Sequence, residues 1–443
     1  MFRTFARHPT ARVLALLPAL LLGSCGDDTG AIITVPNSVV VADLRGNGVL
    51  DVAVASAQID ETGLTTKPGL LGIILNSASS PGTFGGIVNY ASSSAPPSGL
   101  AVGDLTGTGS HDMVVANFNA GTLAVFMETS PTSGNFNAAT NITLPAGSQP
   151  NDVQIADING DGLPDLIVAD NTGKVMYLLQ NPASPGTFET AVSLPISNPA
   201  IVAEGAGWFT RGISVAVGDL NGDGLPDLAV TSFDGYLNNP GYGGDNGMVF
   251  IFFQDPSNPG TFLPTPTTIT ALGEPSQIRI ADVNQDGAKD IVIALQGLGE
   301  DAALVESDGS ASPEANEGAM VILQNSSAPG TFATPVVYPA YSGVLSLAIG
   351  DLNGDGLPDI AMCSLYPQGT GYVVTLMQDP SAPGTFVAGA DYAGLGQPSS
   401  LVLGDMNNDG LLDIVTADST SSVWYENQAS APGTFVQQGQ IGF

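Results

Sequence analysis

Seven short acidic loops, each set between two apolar stretches, recur along this 443-residue chain. They begin at Asp43, Asp104, Asp157, Asp219, Asp282, Asp351 and Asp405, 53 to 69 residues apart. The fullest copies read Asp219-Leu-Asn221-Gly-Asp223-Gly224-Leu-Pro-Asp227 and Asp351-Leu-Asn353-Gly-Asp355-Gly356-Leu-Pro-Asp359. A period near ~60 residues is too long for one coil of a solenoid. It suits one four-stranded propeller blade with variable loops. A second signal follows each loop: Pro81-Gly-Thr-Phe84, Pro185-Gly-Thr-Phe188, Pro259-Gly-Thr-Phe262, Pro329-Gly-Thr-Phe332, Pro383-Gly-Thr-Phe386 and Pro432-Gly-Thr-Phe435. The second repeat has the variant Pro131-Thr-Ser-Gly134-Asn-Phe136. Proline presets φ and glycine supplies a positive φ, so this is a turn, and its Phe is expected to anchor the outer strand in the apolar layer.

Residues 212–271 show the unit. Ile213-Ser-Val-Ala-Val217 alternates and is rich in β-branched residues, and Leu228-Ala-Val-Thr231 reads as a second short strand after the acidic loop. Gly247-Met-Val-Phe-Ile-Phe-Phe253 makes a bulky third strand and Thr267-Thr-Ile-Thr270 a fourth. Seven such units predict an all-β fold, a seven-bladed β-propeller of four-stranded antiparallel blades, closed so that few strand edges stay open. Blades are expected at about 37–92, 97–145, 149–200, 210–271, 274–340, 343–393 and 397–443. The stretch Ala31-Ile-Ile-Thr-Val35 reads as a further strand that could pair with the last blade and close the ring.

The loop pattern is Asp-x-Asn-x-Asp-Gly-x-x-Asp. Oxygen donors at alternate positions let a tight loop wrap a hard cation, and Gly at position 6 permits the sharp turn. No thiol or imidazole takes part, which disfavours soft metals, and calcium tolerates this geometry better than magnesium. The pattern resembles the cation loops of FG-GAP or VCBS repeat propellers, the family that includes the integrin α-subunit head. The resemblance implies about five Ca2+ sites. They are Asp157, Asn159, Asp161 and Asp165; Asp219, Asn221, Asp223 and Asp227; Asp282, Asn284, Asp286 and Asp290; Asp351, Asn353, Asp355 and Asp359; and Asp405, Asn407, Asp409 and Asp413. Carbonyls would come from Leu163, Leu225, Ala288, Leu357 and Leu411. The alternative for each loop is a metal-free Asx-type turn.

The first two copies depart from the pattern. Asp43, Arg45, Asn47 and Asp51 put a guanidinium at a ligand position, where it is expected to replace the ion and pair with Asp43 or Asp51. Asp104, Thr106, Thr108 and Asp112 offer hydroxyls, so calcium there is expected to be weak or absent. The ions of the full loops are expected to be structural, because three carboxylates close together repel.

Residues 1–24 read as a signal peptide. Arg3, Arg7 and Arg12 precede the apolar run Val13 to Leu22, which is too short to span a bilayer. Leu22-Gly23-Ser24-Cys25 resembles the bacterial lipobox, which implies lipidation of Cys25 and an exported lipoprotein, at the outer membrane or cell surface rather than the inner membrane. Nearly all of the remaining chain is repeat, leaving no room for a separate catalytic domain. Cys363, in the apolar stretch Ile360-Ala-Met-Cys363, is expected to be a small buried hydrophobe. The chain holds 9 basic and 42 acidic residues, a net charge of −33. Binding to nucleic acid phosphates is excluded for want of a basic patch.

In a four-stranded blade the 1–2 and 3–4 turns share one face, and the 2–3 and 4–1 connections the other. The acidic loops therefore share a face. The irregular connections Gln58 to Gly69, Glu204 to Arg211, Asp234 to Gly247 and Gly297 to Gly318 are expected on the opposite one, where a rigid scaffold usually carries its functional loops. Trp208, Phe209, Arg211, Tyr236 and Tyr242 fall there and suit a protein or glycan partner. His111 is the one histidine outside the leader, so a histidine-dependent triad or a zinc cluster has little to work with. The leading expectation is a lipid-anchored, calcium-stabilised, non-enzymatic binding or adhesion module. A lectin-like propeller and, less favoured, a polysaccharide-degrading enzyme remain open.

Overall fold

The structure is a computed structural model that describes residues 32–60, 68–93, 95–197, 208–236, 239–243, 246–296, 317–340, 343–365, 371–419 and 421–441. The signal segment and Cys25 lie outside the described residues. Seven antiparallel sheets form in strict chain order. Blade one is β1 (Ile32–Ala42), β2 (Asp51–Asp60), β3 (Gly69–Asn76) and β4 (Phe84–Ser93). Blade two is β5 (Pro97–Gly103), β6 (Asp112–Asn117), β7 (Thr122–Phe126) and β8 (Thr140–Thr143). Blade three is β9 (Pro150–Ala156), β10 (Asp165–Asp170), β11 (Lys174–Leu178) and β12 (Val192–Pro195). Blade four is β13 (Trp208–Gly218), β14 (Asp227–Tyr236), β16 (Asn246–Phe252) and β17 (Thr267–Leu272), with β15 (Asn239–Gly243) added to β14. Blade five is β18 (Pro275–Ala281), β19 (Asp290–Gln296), β20 (Glu317–Ile322) and β21 (Val336–Pro339). Blade six is β22 (Val344–Gly350), β23 (Asp359–Leu365), β24 (Gly371–Gln378) and β25 (Phe386–Leu395). Blade seven is β26 (Ser400–Gly404), β27 (Asp413–Asp418), β28 (Ser421–Asn427) and β29 (Phe435–Ile441).

The first strands β1, β5, β9, β13, β18, β22 and β26 touch one another in that order, and β26 returns to β1. They line the axis. Second strands are apolar along their length because both faces are covered by neighbouring blades: β6, β10, β19 and β27 are buried at every position. Outer strands carry one wet face, with Val88, Val336, Val387 and Val436 about half exposed.

Each interface between blades holds an apolar cluster, and the cluster joining the last blade to the first is built like the others. Val39, Val54 and Ile74 pack there against Met406, Val415 and Trp424. The Val39 N–H also donates to Ser400 Oγ at 3.4 Å, and Ser399 Oγ donates to the Pro36 carbonyl at 2.9 Å. The ring closes by packing and no strand is shared. This corrects one expectation: Ile32 to Val35 extend β1 and pair with Asp60 to Ala57 of the same blade. Hairpin pairing inside blade one continues past the bulge at Pro36/Ser38, so those residues belong to the innermost strand of the first blade and add no strand to the last.

The Phe of the recurrent turn reaches further than its own outer strand. Phe262 of blade four meets Tyr177 of blade three edge-on, centroids 5.3 Å apart. Phe386 and Tyr338, Phe435 and Tyr392, and Phe136 and Tyr90 repeat this across other interfaces, and Phe84 meets Trp424 across the closure. Each such pair contributes about 0.5–1.5 kcal/mol beyond its buried area. The turn is thus a blade-to-blade joint.

Candidate metal loops and their brackets

Every acidic loop connects the first and second strands of its blade, so all of them leave one face of the ring. The loops are ordered by their own side chains. In blade three, Asp157 accepts the Gly160 N–H on Oδ1 and the Gly162 N–H on Oδ2, both at 2.8 Å. Asn159 Oδ1 accepts from the Asp161 N–H at 2.9 Å, and Asp161 Oδ1 from the Leu163 N–H at 2.8 Å. The loops of Asp219, Asn221 and Asp223, of Asp282, Asn284 and Asp286, of Asp351, Asn353 and Asp355, and of Asp405, Asn407 and Asp409 repeat the bonds from positions 5, 6 and 7, and the Asp219 and Asp351 loops also repeat the one from position 4. The glycine at position 6 sits at positive φ, 84° at Gly162 and 91° at Gly410, which is why the pattern needs it.

Position 9 does something the sequence pattern did not suggest. Asp165, Asp227, Asp290, Asp359 and Asp413 are fully buried. One oxygen accepts the N–H of the second loop residue, as Ile158 to Asp165 at 3.0 Å. The other accepts an N–H at the end of the third strand, as Gln180 to Asp165 at 2.7 Å. The same bracket holds at Asp227, Asp290, Asp359 and Asp413. Asp112, in the degenerate second loop, keeps it too. Burial, reinforced by neighbouring loop carboxylates, pushes Asp165, Asp227, Asp290 and Asp413 up to about 6, although the two N–H donors pull the other way.

A second column escaped the sequence reading. The residue six before each turn glycine is Asn76, Gln180, Gln254, Gln324, Gln378 or Asn427, with Glu128 in blade two. Gln254 Nε2 donates to the Pro226 carbonyl of its own loop and, at 2.8 Å, to the Ile158 carbonyl in the loop of the preceding blade. Its Oε1 accepts the N–H of the turn glycine, Gly260, at 2.8 Å. Gln378, Asn427 and Asn76 make the same three links, the last across the ring closure to Met406. The fixed spacing from the turn was the available signal.

The donors fit a hard cation in kind: carboxylate, amide and backbone carbonyl oxygens at alternate positions of one loop. Among the described residues no three His, Cys, Asp or Glu side chains are gathered closely enough to hold an ion by themselves. An ion in the blade-three loop would therefore also draw on the Asn159 amide oxygen and the Leu163 carbonyl. Asp157 and Asp161 lie near enough to Asp165 to raise its pKa, so a divalent charge among them would relieve that repulsion. In blade one, Arg45 supplies the charge. Its Nε and Nη2 donate to the two oxygens of buried Asp51 at 3.2 and 2.7 Å, and Nη2 also donates to the Asn76 carbonyl. In blade two, the Thr106 and Ser110 hydroxyls donate to Asp104, and the Thr108 hydroxyl bonds to that of Thr106.

The partner candidates sit differently from the loop reading. Trp208, Phe209 and Arg211 belong to β13, where Trp208 pairs with Tyr236 of β14, and Tyr242 belongs to β15. Arg211 is buried with its guanidinium carbon 6.0 Å from the centre of the Phe233 ring, so it is withdrawn from a contact surface. The long hairpin β13–β14 extends over residues that composition alone marked as loop. Residues 297–316 lie outside the described residues.

The model for the FG-GAP-like repeat matches residues 104–168, 157–230 and 310–362, and the model for the FG-GAP repeat matches 211–252. The chain carries FG-GAP repeats. The FG-GAP matches span acidic loops of successive blades, the elements described above. No curated protein matches the chain. Solved structures resemble this FG-GAP ring in fold alone. A protein from Bacteroides uniformis described as a candidate 6-phosphogluconolactonase is 12% identical, with 92% of this chain and 95% of that one covered and a TM-score of 0.51. A protein from Lactobacillus plantarum is 11% identical, with 94% and 96% covered and a TM-score of 0.49.

Proposed function

We propose that this FG-GAP propeller is a non-enzymatic binding or adhesion module, stabilised by calcium in its five full loops and held outside the cytoplasm by a lipid on Cys25. One observation carries the reading. The acidic loops have a constant length in every blade, 43–50, 104–111, 157–164 and onward to 405–412. The connections between second and third strands run from residues 419–420 in the last blade to 297–316 in the fifth. A face of uniform loops serves the ring, and a face of unequal loops on a rigid scaffold is where a partner is recognised. The partner is a protein or glycan at that second face.

The test is a pull-down from cell-surface extract with and without calcium, comparing the full chain with Trp208→Ala. Retention of a partner by the wild type, lost on substitution, supports the reading. Equal retention by both, or release of products from an acidic polysaccharide, would overturn it.

A further inference from the structure

The dipeptide Asn-Gly occurs five times in the chain, at 47–48, 159–160, 221–222, 246–247 and 353–354. An asparagine before glycine is open to attack by its own backbone, because no Cβ shields the following nitrogen. Four of the pairs lie in acidic loops. The fifth lies in β16, where the backbone is extended and Asn246 pairs with Leu272 of β17. The loops of blades five and seven have no such pair. Gln285 and Asn408 follow their asparagines there, at φ of 57° and 59°, in the left-handed conformation that glycine takes in the other full loops.

In blades three, four and six the loop holds each reacting group of a ring closure. The Asn159 Oδ1 accepts the Asp161 N–H, Asn221 Oδ1 the Asp223 N–H and Asn353 Oδ1 the Asp355 N–H, all at 2.9 Å. That bond folds the side chain back along the following peptide group and polarises its Cγ. The nucleophile is the nitrogen of the next glycine. Its N–H donates to the first carboxylate of the loop: Gly160 to Asp157 at 2.8 Å, Gly222 to Asp219 at 2.6 Å and Gly354 to Asp351 at 2.7 Å. The leaving nitrogen, Nδ2, donates to Asp161, Asp223 or Asp355, each time at 3.1 Å. In blade one Asn47, at position 5, has the first two contacts. Its Oδ1 accepts the Val49 N–H at 3.0 Å, and the Gly48 N–H donates to Asp43 at 2.7 Å. All four glycines are exposed, so water reaches the bond.

We infer that these loops modify themselves: Asn47, Asn159, Asn221 and Asn353 are deamidated by the glycine nitrogen that follows each of them. The nitrogen bonds to Cγ while its proton passes to the neighbouring carboxylate, which is placed within hydrogen-bond reach to take it. The Cγ–Nδ2 bond then breaks, and Nδ2 leaves as ammonia with that proton. Water adds to either carbonyl of the succinimide ring and opens it to aspartate or isoaspartate. Nothing is oxidised or reduced. The fold supplies the proximity that an extended strand denies. Aspartate at position 3 adds a carboxylate to a loop that already has three, and isoaspartate puts an extra carbon into the main chain under the ladder. Three full loops therefore change with time, and those of blades five and seven do not. The chemistry is independent of the partner invoked for adhesion.

The experiment is incubation of the full chain at pH 8 in chelator, then digestion and mass spectrometry of each asparagine peptide, with released ammonia measured alongside. In the folded protein the four loop asparagines are expected to convert at least tenfold faster than Asn246, Asn284 and Asn407. In denaturant, Asn246-Gly247 should react as fast as the other Asn-Gly pairs, and all of them more slowly than the folded loops. Asp157→Asn should slow Asn159 severalfold and leave Asn221 in the same molecules unchanged; a melting curve shows whether the variant folds, and the comparison among sites in the wild type stands without it. Asn246 converting as fast as the loop sites in the folded protein, loop sites that react faster in denaturant than when folded, or an Asn159 rate unmoved by a folded Asp157→Asn would each overturn the proposal.

Discussion

Asp112 belongs to a loop whose third and fifth positions are threonines, yet it keeps the position-9 carboxylate and both of its backbone donors, Leu105 and Glu128. That residue separates two roles that coincide elsewhere. If position 9 served only to ligate an ion, Asp112→Ala would be nearly neutral. Because it brackets two buried N–H groups, the substitution should destabilise the protein by about 2–4 kcal/mol, comparable to Asp227→Ala, since each buried donor left unpaired costs roughly 1–3 kcal/mol. Denaturant unfolding of the two variants in chelator measures this, and a neutral Asp112→Ala would remove the bracket from the account. Cys363 gives a second residue-scale test. It is fully buried in the cluster between blades six and seven, and burial pushes its thiol up to about 12. A disulfide reagent at pH 8 should leave it unmodified in the folded protein and titrate it on unfolding, because the thiolate is the reactive form.

At the scale of the element, the loop and the Pro-Gly-Thr-Phe turn prove to be one device. The turn glycine of one blade rests on position 3 of the preceding loop: a Cβ on Gly260 would stand 2.7 Å from Asn159 Cβ, and one on Gly384 would stand 3.0 Å from Asn284 Cβ. The Gln or Asn five residues before the turn proline ties both to the position-9 bracket. An ion held by the loop would therefore stiffen an interface as well as a hairpin. Removing calcium with a chelator should lower the melting temperature by several degrees or more, while Arg45 keeps the first loop insensitive. An unchanged melting curve would remove structural calcium from the proposal. Because the Asx ladders tie each loop by hydrogen bonds as well, a drop in melting temperature, with the fold retained, is the expected result.

At the scale of the molecule, each blade is one contiguous stretch of chain, and the last joins the first through Val39, Trp424, Ser399 and Asn76 with no exchanged strand. A circular permutant opened at the exposed Gly147 between blades two and three, with Ile441 linked to Ile32 by a crossover of natural length, should fold with a melting temperature close to that of the parent. Failure to fold would mean that closure depends on the native ends. The repeat period, the strand alternation and the glycine and proline of the turns were legible in the sequence, because each reflects local backbone chemistry: φ at Gly and Pro, period-two burial, oxygen donors at alternate loop positions. Blade number and the shared face of the acidic loops follow from those alone. What the tertiary structure decided depends on other strands, of the same blade or of the next. Position 9 is a buried bracket because the next strand end supplies its second donor. The turn Phe is a joint because a Tyr or Trp of the preceding blade lies beneath it. Ile32 to Val35 stay in blade one because the β1–β2 hairpin continues past its bulge and pairs them with Asp60 to Ala57. Arg211 is withdrawn because β13 and β14 run on past the expected loop.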